Sequence, residues 1–379
     1  MTRVLLLNPP GRKNYIRDYF CSKTAKAFYR SAPSTLLTLS GRLADRAELE
    51  VLDAVAERLD ADAAARDIRR RRPGVVISLV GAVCWDEDRT FLARVKRETG
   101  ARILAVGDVL LEDPVARMAE APAVDAALLD FAGPAVLAIL EGPPARPEPN
   151  TVCRLPGGGI VAGERRPLRG PWDAGVPCHD LFPLRRYRFP FSIAAPMSVV
   201  LTDYGCPYRC AFCVIPKLGF GERPLESVYA EFDRLASLGV KEIFFIDQTF
   251  GARRGRALRL CEHLAARRRR FAWSCFSRAD VTTPDLVAAM ARAGCHTIIY
   301  GLESADAATL NAYRKDVDAA QVETALAACR REGIRTAATF ILGLPGESEA
   351  SGRRTVDWAC NLPLDFAAFN VAVPRAGTD

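Results

Sequence analysis

The sequence predicts an α/β protein in two parts, a doubly wound parallel sheet followed by a partial (β/α)6 barrel. Three observations predict it. Short apolar runs alternate with amphipathic helical patterns along most of the chain, the signature of parallel strands covered on both faces. One stretch rich in proline and glycine, opening at Gly142-Pro143-Pro144 and including Gly157-Gly158-Gly159, interrupts that alternation. Three cysteines, Cys206, Cys210 and Cys213, then follow the first apolar run of the second series.

In the first series the apolar runs at residues 4–7, 49–52, 75–80, 103–106 and 126–129 read as strands. Helical patterns fall between them at 34–44, 61–72, 88–99, 114–120 and 134–140. Five strands so spaced suggest a Rossmann- or flavodoxin-like domain over residues 1–142. Ligands of such sheets collect beyond the carboxyl ends of the strands, where this sequence places Asn8, Ser78, Gly107 and Asp108. No GxGxxG follows the first strand, so a dinucleotide fingerprint is missing. Residues 143–195 read as an inter-domain linker carrying a small hairpin. In the second series, strands are expected at 199–201, 243–246, 271–275, 297–300, 337–342 and 367–373. Helices are expected at 225–238, 254–269, 284–293, 319–331 and 350–360. Six strands fall short of a closed eightfold barrel, so residues 196–379 read as a partial one, with its chemistry at the carboxyl ends.

Composition narrows the class. Of 379 residues, 49% are hydrophobic and 26% charged, which excludes a largely disordered chain. The net charge of +7 permits an anionic substrate but is mild for this length. No apolar run approaches the roughly 18–20 residues of a membrane span. The opening Met1-Thr2-Arg3 and the short run after it do not make an export signal, so a reducing cytoplasmic location is expected. The twelve cysteines then read as thiols, ligands or core residues and not as a disulfide framework. The only histidines are His179, His263 and His296, so histidine-rich metal sites are not expected. Arginine runs at 69–72 and 267–270 read as solvated C-terminal helix ends, where cations interact favourably with the helix dipole. No stacking aromatics are interleaved with them, and nucleic acid is not an expected partner.

The chemistry sits in Tyr204-Gly205-Cys206-Pro207-Tyr208-Arg209-Cys210-Ala211-Phe212-Cys213, a C-x3-C-x2-C loop leaving a strand's carboxyl end. Three thiolates on so short a loop suit three corners of an iron–sulfur cluster, and no fourth cysteine lies near, so one iron would keep an open site. A structural zinc site wants four ligands; neither Cys275 nor His179 completes a zinc-type spacing. This loop resembles the signature of the radical S-adenosylmethionine superfamily, including Phe212 before the last cysteine. Further segments resemble the same family in order: Phe244-Phe245-Ile246-Asp247, Ser277-Arg278-Ala279-Asp280, Gly301-Leu302-Glu303-Ser304, Ile341-Leu342-Gly343-Leu344-Pro345-Gly346-Glu347 and Val373-Pro374-Arg375-Ala376-Gly377-Thr378. Each segment has an ordinary structural alternative. Asp247 could cap a helix, Arg278 could form a surface ion pair, Glu303 could cap the following helix, and Gly343 and Gly346 could make a turn. Their order along one barrel favours a cofactor site.

The first half resembles the cobalamin-binding domain that precedes this barrel in one branch of the family, with residues 4–10 as its opening strand. It departs from the D-x-H-x-x-G pattern, because no histidine precedes His179. The resemblance implies a 4Fe-4S cluster on Cys206, Cys210 and Cys213 that reductively cleaves S-adenosylmethionine to a 5′-deoxyadenosyl radical. It implies S-adenosylmethionine contacts from Phe212, Asp247, Arg278, Glu303, Ser304, Gly343 and Pro374. It also implies cobalamin, without a histidine on cobalt, against Asn8, Ser78, Gly107 and Asp108. The implied reaction is methylation of an unactivated carbon in a small molecule, fed by an electron donor such as flavodoxin or ferredoxin. The alternatives are radical oxidative cyclisation or rearrangement, an RNA-modifying methylthiotransferase, and a non-enzymatic metal or redox module. A methylthiotransferase needs three further cysteines in its first domain, where residues 1–142 offer Cys21 and Cys84. The sequence stops at Gly377-Thr378-Asp379, whereas the resemblance implies a last helix and a C-terminal domain. A short member, a truncated reading frame and a fragment all stay open.

Overall fold

Val4, Leu5, Leu6 and Leu7 are each no more than 1% exposed, so the first strand, β1 (Thr2–Asn8), is covered on both faces. It lies inside a seven-stranded sheet with β2 (Ala47–Asp53), β3 (Val75–Leu79), β4 (Arg102–Val106), β5 (Ala126–Leu128), β6 (Thr151–Arg154) and β7 (Ile160–Ala162). The order is β2-β1-β3-β4-β5-β6-β7. The first five are parallel and the last two antiparallel. The parallel part has the 2-1-3-4-5 order of a flavodoxin-like sheet, which puts the ligand crevice where β1 and β3 part. Leu5, Leu7, Val76, Ile103 and Ala105 pack with Ile68 of α1 (Ala61–Arg71), Leu92 and Val95 of α2 (Trp85–Thr99) and Met118 of α3 (Pro114–Glu120). The side chains of Asp60 and Asp113 cap α1 and α3 on the backbone amides of Ala63 and Ala116.

The computed structural model describes every residue except 26–28, 145, 375–377 and 379. It divides into two units, Met1–Pro190 with Glu222–Gly239, and Phe191–Gly221 with Val240–Asp379. Residues 143–195 are therefore not a plain linker. The expected hairpin is β6 and β7, and it adds two antiparallel strands to the first sheet. The helix Leu225–Ser237, read from sequence as part of the second series, belongs to the first unit. Its buried Glu231 explains this, for it accepts from Arg223 Nη1 at 2.6 Å and lies 2.8 Å from His179 Nε2. Burial alone would raise that carboxyl, but Arg223, with His179, holds it below its usual value.

In the second unit, β8 (Met197–Val200), β9 (Glu242–Phe245), β10 (Ala272–Ser277), β11 (Cys295–Glu303), β12 (Arg335–Leu342) and β13 (Phe366–Val371) form a six-stranded sheet in chain order, all parallel. Helices Arg254–Ala266, Pro284–Arg292, Ala319–Arg331 and Glu349–Asn361 connect successive strands from β9 onward. The rings of Phe245, Phe250 and Trp273 meet at 5.1–5.3 Å in its core. Two capping boxes, Asp318 with Gln321 and Ser348 with Ser351, start the last two helices. The helix after β9 stops at Ala266, so the arginines 267–270 lie beyond it and not in its last turn. Every residue of β13 is exposed, including Phe366, Phe369 and Val371. Among the described residues, no helix is long and apolar enough to cross a membrane.

Asp53 ends β2 with its carboxylate enclosed. Its Oδ1 accepts from Ala56 N at 2.9 Å and Asn8 Nδ2 at 2.8 Å, and its Oδ2 accepts from the Tyr187 hydroxyl at 3.0 Å. Burial nevertheless pushes this carboxyl up to about 6. Between its unfolded value near ~4 and that raised value, the folded protein holds a proton the unfolded chain has released. This group's contribution to stability therefore falls as pH rises through that window, by on the order of 3 kcal/mol once complete. Asp53→Asn removes the titration. Denaturant unfolding of variant and wild type should show their difference moving in the variant's favour between about pH 4.5 and pH 7.

Candidate active site

Asp247 follows β9 and has no exposed surface. Its Oδ1 accepts from the backbone amides of Thr202 at 2.6 Å and Asp203 at 3.0 Å, and its Oδ2 accepts from the Thr202 hydroxyl at 2.7 Å. Neither oxygen serves a helix cap, and neither faces solvent. The carboxylate instead fixes the end of β8, from which the cysteine loop leaves. Arg256 braces the same turn, donating to Asp203 Oδ1 at 3.1 Å and to the Thr202 carbonyl at 3.3 Å. Gly205, next in the chain, has φ +74°, and a Cβ there would stand 1.9 Å from the Gly219 carbonyl oxygen. The left-handed backbone and the close approach both require glycine.

The loop is built around its cysteines. Cys206 N donates to the Gly219 carbonyl at 3.3 Å, Cys213 N to the Cys210 carbonyl at 3.1 Å, and Ala211 N to the Tyr313 carbonyl at 3.0 Å. Cys206 Sγ lies 3.9 Å from Thr249 Oγ1, and Arg278 Nη1 approaches Cys210 Sγ at 3.6 Å. All three thiols are partly exposed. Burial raises the Cys206 thiol and pushes Cys213 up to about 11, so uptake of a metal cluster must release their protons. Among the described residues, no three Cys, His, Asp or Glu side chains converge as one metal ion requires. A cluster asks for three thiolates on three separate irons, and this donor set fits it.

Arg278 is 4% exposed and reaches the loop from the end of β10. It is forked on Asp280 through Nε and Nη2, both at 2.9 Å, and donates from Nη2 to the Lys315 carbonyl at 2.8 Å. Its guanidinium stacks over Tyr208 at 3.9 Å from the ring centre. It is thus an ion pair, but a buried one that touches the middle of the loop at Tyr208 and Cys210. Glu303, at the end of β11, does not cap the following helix, since Asp306 does that on Thr309 N. Its Oε1 accepts from Lys315 Nζ at 3.3 Å. Burial raises its carboxyl, and Lys315 works against that rise.

The other expected contacts divide. Phe212 is half-buried and faces Tyr313, ring centres 6.2 Å apart. Gly343 is exposed with φ +80°, and its amide donates to Glu347 Oε2 at 2.6 Å. It borders a cleft of about 530 Å³ with Leu342, Ser348 and Arg353. Ser304 has no exposed surface, and its hydroxyl lies 3.2 Å from Thr355 Oγ1, which turns it into the fold. Pro374 is exposed beyond β13, while residues 375–377 of its segment lie outside the described residues.

In the first unit, the four expected residues line the carboxyl edge but are engaged within it. Asn8 Oδ1 accepts from Arg17 Nη1 at 3.1 Å. The Ser78 hydroxyl donates to the Leu79 carbonyl at 2.9 Å. A Cβ on Gly107 would stand 1.8 Å from the Val80 carbonyl oxygen, so glycine lets two strand ends touch. Asp108 accepts from Ser22 N at 2.6 Å and Ala82 N at 2.9 Å. Sequence reasoning missed Arg17, which sits where β1 and β3 part. It donates to the Pro9 and Pro10 carbonyls and pairs with Asp88 at 2.6 Å, both side chains fully buried. It also missed Lys315, Tyr313 and Thr249, which lie in loops where no periodicity marks them.

A cysteine loop at the first strand end, a buried arginine on the third and a carboxylate on the fourth define the class. Residues 200–359 match the Radical SAM superfamily, so this part of the chain is a radical SAM domain, which takes a 4Fe-4S cluster and S-adenosylmethionine. The chain therefore carries the domain of a radical SAM enzyme. Its fold is shared with the radical S-adenosylmethionine methyltransferase TsrM from Kitasatospora setae, solved with cobalamin and a 4Fe-4S cluster bound. The TM-score is 0.78 at 22% identity, over 98% of this chain and 75% of that one. The uncharacterized methyltransferase PH0819 of Pyrococcus horikoshii is 27% identical over 360 residues, 91% of this chain and 77% of that protein. The hopanoid C-2 methylase of Rhodopseudomonas palustris is 28% identical over 208 residues, 52% of this chain and 39% of that protein.

Asp247→Ala should cost about 2–4 kcal/mol, because two backbone amides and a hydroxyl lose their buried acceptor together. Chemical denaturation measures the loss, and iron uptake by the variant should fall with it.

Proposed function

We propose that the protein is a cobalamin-dependent radical SAM methylase acting on an unactivated carbon of a small molecule. The observation that carries this reading is a cysteine loop pinned at one strand end, preceded in the chain by a parallel sheet of flavodoxin order. When bound, the cluster supplies the electron that cleaves S-adenosylmethionine to a radical, and cobalamin supplies the methyl group. The chain's own residues bind and orient. Cys206, Cys210 and Cys213 hold the cluster, and Arg278 directs an N–H at Cys210. Glu303 and the backbone around Gly343 take the polar parts of S-adenosylmethionine. The strand-end loops around Asn8, Ser78, Gly107 and Asp108 shape the cobalamin pocket. His179, the first histidine of the chain, is buried with its Nε2 2.8 Å from Glu231 Oε1 and so is engaged within the fold. A small electron-transfer protein such as flavodoxin or ferredoxin would supply the electron.

Cys206→Ala, Cys210→Ala and Cys213→Ala should each abolish cluster incorporation, since three ligands leave no spare thiolate. Iron and sulfide analysis after anaerobic reconstitution is the check, and wild-type iron in all three variants would sink the assignment. Reconstitution with hydroxocobalamin and desalting should leave near-stoichiometric cobalamin. Electron paramagnetic resonance of its cob(II)alamin form should show no nitrogen splitting from a lower ligand. Loss of all cobalamin on desalting would remove methyl transfer from the reading and leave radical rearrangement. Mass spectrometry of products formed with methyl-labelled S-adenosylmethionine then identifies the acceptor class.

A further inference from the structure

Lys315 is 5% exposed, an unusual burial for a lysine, and sits in the loop after the short helix Ala307–Ala312. Two strand ends converge on it. Its Nζ donates to Glu303 Oε1 at 3.3 Å, and its carbonyl oxygen accepts from Arg278 Nη2 at 2.8 Å. Arg278 in turn reaches Cys210 Sγ. The ammonium is also close enough to Cys213 to act on that thiol electrostatically. The backbone here is held in uncommon conformations. Glu303 has φ +66°, Arg314 +54° and Asp316 +41°, three of the six non-glycine residues with positive φ among those described. Such strain persists only where the surroundings impose it, and it gathers at functional sites. Gly301 leaves the room, for a Cβ on it would stand 2.3 Å from Glu303 Oε1 and 3.3 Å from Lys315 Nζ.

From this we infer that Lys315 is a positioning residue of the S-adenosylmethionine pocket, aiming the Glu303 carboxylate and joining it through Arg278 to the cluster loop. The inference rests on the radical SAM reading of the cysteine loop. A neutral side chain at 315 removes the cation that hydrogen-bonds Glu303, so the carboxylate turns away and the cofactor loses an oriented acceptor. It also removes a positive charge near the cluster, which makes the cluster harder to reduce.

The test uses the full chain, reconstituted anaerobically, with iron content, equilibrium binding of labelled S-adenosylmethionine and a redox titration followed by electron paramagnetic resonance. Lys315→Met should keep wild-type iron and bind S-adenosylmethionine about thirtyfold more weakly or worse. Its cluster midpoint should move to a more negative potential. Lys315→Arg should recover most of both, because it restores the charge. Lys315→Met combined with Glu303→Gln should bind no worse than the weaker single variant, since the two act as one unit. Gly301→Ala keeps both charges but places a methyl against the Glu303 carboxylate, and it should reproduce the binding loss even if Lys315→Met fails to fold. Wild-type affinity and potential in Lys315→Met would overturn the inference alone, as would wild-type affinity in Gly301→Ala or additive losses in the double variant. A wild-type chain that takes up no cluster would overturn the underlying reading and this inference with it.

Discussion

Everything at the barrel's working end hangs from one buried carboxylate. Asp247 accepts two backbone amides and a hydroxyl from the end of β8, so the cysteine loop begins from a fixed point. Without an acceptor there, three donors would be buried unpaired, and the turn would have to rearrange. A loop of ten residues carrying three ligands needs such an anchor, because a cluster tolerates little error in where its thiolates point.

The first unit solves a similar problem with opposite chemistry. Where β1 and β3 part, the fully buried Arg17 gathers the Pro9 and Pro10 carbonyls, Asn8 and Asp88, while Asp88 also accepts from Gly81 N at 3.0 Å. Two loops are thereby held by one guanidinium. Buried ion pairs contribute little net stability, since desolvation offsets their attraction. Their use at both strand-end crevices is better understood as fixing shape, which a binding surface needs more than it needs stability.

Strand identity was legible because the inner strands are covered on both faces, so runs such as 4–7 and 243–246 are continuously apolar and, at four residues, too short for a helix. The cysteine spacing was legible because three soft ligands in eight positions are rarely accidental. Pairing partners were not. Asp247 reads as a cofactor residue from its place at a strand end, yet its partners are 44 and 45 residues earlier and satisfy it completely. Ser304 likewise meets a distant partner, its hydroxyl lying 3.2 Å from Thr355 Oγ1. Lys315 left no signal, because a lysine in a loop is ordinarily solvated and only the fold buries it. The segment 143–195 showed its hairpin but not that β6 and β7 extend the first sheet, because a short hairpin carries no signal of the strand it will pair with. The helix Leu225–Ser237 changed units because of a charge on its apolar face: Glu231 among Val228, Phe232 and Leu235 was the clue.

The last strand carries a different kind of consequence. β13 pairs with β12 on one side, and its six residues, with Phe366, Phe369 and Val371 among them, meet solvent. An uncovered row of amides and carbonyls flanked by aromatic side chains is a template for any passing strand. A strand laid along this edge would gain a ladder of backbone hydrogen bonds and, in the same step, give Phe366 and Phe369 new neighbours.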